Sequence, residues 1–281
     1  MKLLVEGSSK DLSYLDSVDG VILPLEGYSV ESVCYYSLDE IESFVKSHSM
    51  ETFVKVNRNF LNEDIEDLKE VLKRFDMIGV SGVFFYDLAV LQIKKELHLN
   101  IPLVWNQTHM VNNYKTCDYY YSKGVEYALL GKEITLDEIL EIIHQSKITC
   151  MVEVVSRPSV AFSKRKLVSN YYSDLGEKGD KELLVKEKVT GAFYHVLEDP
   201  YGTCFFLDKI TNGTSILSDL YQANCPYIIF REYGIDSFSE FVKDTHQYIM
   251  DGCKDSKYVS KYKKLGDSTN FFFKKTIYRV K

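Results

Sequence analysis

No stretch of about 18 apolar residues is available to span a bilayer. The apolar run in MKLLVEGSS is short and broken by Glu6, so no secretory signal is expected there. A cytoplasmic chain with no membrane partner is the resulting expectation. The six cysteines (Cys34, Cys117, Cys150, Cys204, Cys225 and Cys253) include no Cys-x-x-Cys pair of the kind that builds zinc or iron–sulfur sites, and they read as buried free thiols. The six histidines contain no His-x-x-x-His pair, which removes a helical metal site. No strand is followed by Gly-x-Gly-x-x-Gly, so a dinucleotide fold is not indicated, and no Gly-x-Ser-x-Gly supplies a nucleophile elbow. Excess positive charge is missing as well: a net charge of −7 argues against coating nucleic acid by charge alone.

What is present is a chain that folds. Hydrophobic residues make up 45% and charged ones 27%, and 281 residues can bury one large core or two ordinary ones. Short runs rich in Val, Ile and aromatics alternate with segments of helical period, the pattern of parallel strands joined by crossover helices. The strand candidates are LLVE (3–6), GVILPL (20–25), TFVKVN (52–57), GVFFYD (82–87), IPLVWN (101–106), EYALLG (126–131), TCMVEVV (149–155) and PYIIFRE (226–232). Helix starts are marked by capping boxes at Ser37 with Glu40, Thr135 with Glu138 and Ser237 with Glu240, and by Asn62 ahead of an acidic first turn.

Eight strands close naturally into a ring, so the expected fold is α/β, a (β/α)8 TIM-like barrel over residues 1–250. About 70 residues separate the seventh and eighth strands, far more than a connection needs. An insertion at about 156–214 is therefore expected on the carboxyl face, with a β-hairpin of GAFYHVLED and YGTCFFLDKI around Pro200-Tyr201-Gly202. Residues 251–281 read as a carboxyl-terminal extension packed on the barrel, and STNFFFKKTIYRVK as its final strand.

Polar residues at strand carboxyl ends point into a barrel mouth, which selects Glu26, Asn57, Arg58, Asp87, Asn106, Lys132, Glu133, Glu153 and Arg231. Asn106 is the sharpest, because Trp105 precedes it and Gln107, Thr108 and His109 follow, an aromatic wall beside amide and hydroxyl partners. Ser163 and Lys166 match Ser-x-x-K, a short pattern used by serine–lysine acylases and common by chance. Cations cluster at Lys164, Arg165 and Lys166, and again in the last 21 residues, from Lys261 to Lys281; either cluster reads as a solvated face or a basic patch.

Four stretches carry a resemblance: VVSRPSVAFSKRKLVSNYY, VWNQTHMVNNYKTCDYYYSKGVEYALLGKEITLDEI, FFYDLAVLQIKKEL and EDPYGTCFFLDKI. In order and spacing they resemble the U32 peptidase family, the collagenase-like peptidases, over most of residues 1–250, and most closely its short members that stand beside a longer paralogue. The resemblance implies hydroxylation more than proteolysis, since better understood members look like iron–sulfur proteins hydroxylating tRNA, ribosomal RNA or ubiquinone precursors. Longer members carry a Cys-x6-Cys pair where this chain has Ser159 and Lys166, so the implied cluster has no ligands here. Short members read Ser-Lys-Arg followed by Asn-Tyr, here Ser163, Lys164, Arg165, Asn170 and Tyr171, and the implied role is prephenate-dependent conversion of the tRNA wobble uridine to 5-hydroxyuridine.

The combined expectation is a barrel that binds no cofactor itself. Prephenate would be a co-substrate, the iron–sulfur cluster would lie only in a long cysteine-bearing U32 partner, and tRNA would be a further partner. The expected ligand-binding set is Asn57, Asp87, Trp105, Asn106, Glu133, Glu153, Ser163, Lys164, Arg165, Asn170, Tyr171 and Arg231, with no metal ligand and no catalytic residue assigned. Two rivals stay open: a peptidase, which needs a nucleophile or metal, and a non-catalytic interaction protein.

Overall fold

The structure is a computed structural model that describes residues 1–107 and 110–266. Seven parallel strands open the chain: β1 (Lys2–Glu6), β2 (Gly20–Pro24), β3 (Glu51–Val56), β4 (Gly82–Phe85), β5 (Leu103–Trp105), β6 (Tyr127–Leu129) and β7 (Thr149–Ser156). After the insertion's β8 (Ser159–Ser163), β9 (Glu182–Lys186), β10 (Phe193–Asp199), β11 (Gly202–Leu207) and β12 (Thr211–Asn212) comes β13 (Tyr227–Arg231). β13 pairs in parallel with both β7 and β1, and β6 pairs with β7, so the eight parallel strands close into a barrel. Each of the eight strand candidates corresponds to one of these strands.

Helices cross between the strands: α1 (Leu38–Ser47), α2 (Ile65–Ile78), α3 (Leu88–Glu96), α4 (Tyr114–Ser122) and α5 (Leu136–Gln145), with α6 (Leu167–Leu175) and α7 (Leu217–Gln222) before β13, and α8 (Phe238–Met250) and α9 (Ser256–Tyr262) after it. The boxes at Ser37 with Glu40 and Thr135 with Glu138 form as read, each hydroxyl accepting from the N3 amide while the glutamate accepts from the cap amide. Two starts differ. Ser237 sits in the left-handed region at φ 53° and makes no side-chain cap, because a cap must hold extended dihedrals to aim its oxygen at the helix amides. At Asn62 a short 3₁₀ turn, Asn62–Asp64, precedes α2, and the Asp64 carboxylate instead accepts from Leu61 N at 2.7 Å.

Strands buried on both faces read as nearly continuous apolar runs. Leu4, Ile22, Phe53, Phe84, Val104, Leu129, Met151 and Ile229 fill the barrel, while alternate residues such as Val5, Val54, Phe85 and Trp105 pack against the helices. The insertion forms its own antiparallel sheet in the order β8-β11-β10-β9. Its hairpin turns where Asp199 accepts from Tyr201 N at 2.7 Å and Gly202 N at 3.0 Å. Tyr35 Oη donates to Asp199 at 2.7 Å, and Lys164 Nζ donates to Asn59 O at 3.0 Å, so this sheet is fastened over the carboxyl face of the barrel. In the chain's last described part, α9 buries Tyr258, whose hydroxyl lies 2.6 Å from Thr245 Oγ1. The segment read as a final strand lies outside the described residues, as do Thr108 and His109.

Candidate functional site at the barrel mouth

Side chains alternate in and out along a strand, so the inward positions above the apolar layer follow by counting two. From Leu4 the count reaches Glu6, from Phe53 it reaches Lys55 and Asn57, from Met151 it reaches Glu153, and from Ile229 it reaches Arg231. The result is a buried charged layer at the carboxyl end of the barrel. Lys55, 1% exposed, donates to Glu6 Oε1 at 2.9 Å, to Ser32 Oγ at 2.7 Å and to Glu31 O at 3.3 Å. Arg231 Nε lies 3.5 Å from Glu6 Oε2 and 2.9 Å from Glu153 Oε2, and Lys132 Nζ lies 2.8 Å from Glu153 Oε1. Ser32 and Ser156 donate to Glu6 and Glu153.

The pairing holds both acids ionised. Burial pushes the Glu6 carboxyl up, but Arg231 and Lys55 outweigh it and its pKa lies below the ordinary value. Burial opposes Glu153 in the same way, and Arg231 with Lys132 brings its pKa down to about 2. For Lys55 burial is the largest influence and prevails, with Arg231 assisting, so its pKa falls although Glu6 pulls it upward.

β8 roofs two cavities over this layer. One, of about 390 Å3, lies between β8 and the loops after β2, β3 and β4 and is lined by Glu31, Asn57, Arg58, Tyr86, Phe162 and Lys164, among others. Another, of about 130 Å3, reaches Lys132, Glu133, Glu153 and Ser156 on the side of β6 and β7. Ser159 and Val160 border both.

Of the twelve residues expected to bind ligand, the structure gathers Asn57, Lys164, Glu133, Glu153 and Arg231 in or under these cavities. The others stand elsewhere. Trp105 points outward, fully buried and stacked on Tyr120 of α4 with ring centroids 3.7 Å apart, so it is no wall of the mouth. Asn106 is buried at the end of β5, where its backbone N–H donates to Phe85 O at 3.1 Å, and it lines neither cavity. Asp87 caps α3 through Ala89 N at 2.9 Å and accepts from Phe60 N at 3.0 Å. Arg165, Asn170 and Tyr171 are exposed and line neither cavity. Ser163 accepts from Arg165 N at 3.2 Å, and no hydrogen bond joins it to exposed Lys166 among the described residues, so Ser-x-x-K is not assembled as a dyad. The amino end of α6, just after these cations, is already filled by Glu198, which accepts from Val168 N at 2.8 Å and Ser169 N at 3.0 Å.

Glu6, Lys55 and Ser32 were missed. Their signal was present: a lysine in a strand buried on both faces needs an anionic partner, and Glu6 ends the apolar run of β1, one strand beyond β2.

Residues 27–182, more than half of the chain, match the profile of peptidase family U32. The chain belongs to that family. It is 32% identical over 166 residues to tRNA hydroxylation protein P2 of Bacillus subtilis (strain 168), covering 59% of this chain and 52% of the relative. To tRNA hydroxylation protein P1 of the same organism it is 21% identical over 157 residues, covering 54% and 37%. This U32 chain therefore spans about half the length, or less, of the curated relatives it matches. A U32 peptidase of known structure superposes with a TM-score of 0.52 at 13% identity, covering 83% of this chain and 94% of the other, a likeness of fold.

The donor set of this U32 chain does not fit a four-thiolate iron–sulfur cluster. Ser159 offers a hydroxyl 3.4 Å from Cys204 Sγ, and Lys166 offers an exposed ammonium. Cys204 is one thiol, and burial pushes its pKa up to about 12, away from the thiolate a cluster needs. Among the described residues no group of three His, Cys, Asp or Glu side chains could hold a metal ion, and no helix is long and apolar enough to cross a membrane.

Proposed function

We propose that this U32 barrel is a component of a tRNA hydroxylation system, acting on the wobble uridine beside a longer, cysteine-bearing paralogue that holds the iron–sulfur cluster. The observation that carries the reading is the 32% identity to tRNA hydroxylation protein P2 over 166 residues. The weaker match to protein P1 supports a paired arrangement, because two related chains of one organism bear the same process in their names. In this reading prephenate is the co-substrate, and the cations at the mouth face anionic groups. Lys164 is the cation best placed for that, reaching over the mouth from the end of β8, while Arg165 and Lys166 face solvent where an RNA phosphate could meet them.

Deletion of the gene tests it. Mass spectrometry of tRNA nucleosides is expected to show loss of 5-hydroxyuridine-derived nucleosides, restored by the wild-type gene. Unchanged modification would end the reading.

A further inference from the structure

After α9 the chain returns to the junction between the insertion and the barrel. Asn212 Nδ2 of β12 donates to Tyr262 O at 2.8 Å, and Leu265 packs on the core. Gly266 then lies so close to Ile210 that a Cβ there would stand 2.2 Å from Ile210 O. Ile210 is also a wall of a cavity of about 350 Å3, lined as well by Ala192, Phe193, Leu207, Asp208 and Thr211. Phe193 and Leu207 belong to β10 and β11 of the insertion, whereas Thr211 belongs to β12, which pairs with barrel strand β7 through Ser156. Among the described residues, none of the buried polar atoms left without a partner lies on this wall, and Asp208 already faces His195 Nε2 at 3.2 Å, so a small polar ligand finds no groups set aside for it. The cavity offers apolar surface instead, from Leu207, Ile210 and Phe193, the last 40% exposed.

Residues 267–281, DSTNFFFKKTIYRVK, follow Gly266 and lie outside the described residues. Phe271, Phe272 and Phe273 begin five positions on, and five residues span at most about 17 Å when extended, so the run is within reach of a cavity whose wall touches Gly266. Phenylalanine is among the side chains that gain most by leaving water. A tether this short holds the run at an effective concentration on the order of millimolar, which favours it over a second copy or a separate partner. We propose that the phenylalanine run of residues 271–273 docks into this cavity of its own chain and straps the insertion to the barrel. One ring lies among Phe193, Leu207 and Ile210, and the strap adds to the contacts of Tyr35 with Asp199 and of Lys164 with Asn59 that already hold the sheet over the mouth. The docking follows from where the chain stands at Gly266 and is independent of the tRNA reading; either can fail without the other.

NMR of the full chain tests it, with a nitroxide attached at Lys275→Cys; the six native cysteines are buried. Signals of Phe193, Leu207 and Ile210 are expected to broaden far more than those of α2. A mixture in which only the copy without nitroxide carries the isotope separates docking within a chain from docking between copies, and no broadening is expected there. Hydrogen exchange gives a second readout at Leu207, whose N–H donates to Pro158 O at 2.9 Å. Phe272→Asp combined with Phe273→Asp is expected to speed that exchange at least about tenfold. Phe193→Asp in the spin-labelled chain is expected to remove the broadening at Ile210, and it serves if the double variant does not fold. No broadening at Ile210 beyond that at α2, broadening in the mixed sample, or unchanged exchange in the folded double variant would overturn the proposal.

Discussion

Lys55 shows how a residue can keep a charge inside a barrel. Glu6 and Ser32 take its protons, and Arg231 and Lys132 hold the second carboxylate in place, so each buried charge of the layer faces one of opposite sign. Removing one member strands its partner in a dry interior, which costs about 3–5 kcal/mol, whereas replacing a whole buried pair with apolar residues is often nearly neutral. Lys55→Met is therefore expected to lower unfolding free energy by about that amount, and Glu6→Leu combined with Lys55→Met by less than Lys55→Met alone; a double-mutant cycle in denaturant checks this. The same layer sets an acid limit. Glu153 has its pKa depressed to about 2 from an ordinary 4.5, so its contribution, on the order of 3 kcal/mol, is complete above pH 4.5 and is lost as pH falls toward 2. Stability measured across that window should fall less steeply in Glu153→Gln. Reading the sequence by strand ends found Glu153 and Arg231 but not Glu6 or Lys55. Glu6 is the last residue of β1 and was passed over there, while Lys55, one residue before the end of β3, gains its meaning from Glu6 49 positions away, on a strand separated from β3 by β2, a proximity that the sheet creates and the local sequence does not show. Trp105 misled for the opposite reason: it stands next to a mouth position, and adjacent residues on a strand face opposite ways.

At the scale of elements, local signals were readable where the chain itself decides the outcome. The eight barrel strands are apolar runs and were legible as such, and two capping boxes formed. The third shows the limit, since the tight entry into α8 holds Ser237 at φ 53° and overrides the pattern. Ser37→Ala and Thr135→Ala are each expected to cost about 1 kcal/mol, and Ser237→Ala only a few tenths, as read from shifts in denaturation midpoint. In the insertion the hairpin of β10 and β11 was legible from its turn, while β8, β9 and α6 were not. β8 and β9 are short and partly exposed, and their strand character comes from pairing with β11 and β10. α6 begins where Glu198, 30 positions away from Val168, accepts from its first amides, a cap supplied by the tertiary fold rather than by the preceding residue.

For the molecule as a whole, the fold places an insertion sheet over a charged mouth. Where the resemblance to longer family members implies two cysteines, this chain has a serine against Cys204 and a solvent-facing lysine. The barrel has a polar basin at its mouth whose lining lacks the thiols for a cluster, which accords with the division of labour proposed between this chain and a longer paralogue. Anaerobic purification tests that division most directly, with iron and sulfide assayed in this chain alone, in the paralogue alone and in their mixture. The expected result is a mixed complex whose iron matches the paralogue's own content, with no stoichiometric iron in this chain after reconstitution with iron and sulfide. A visible iron–sulfur spectrum at one cluster per chain in the isolated protein would contradict it.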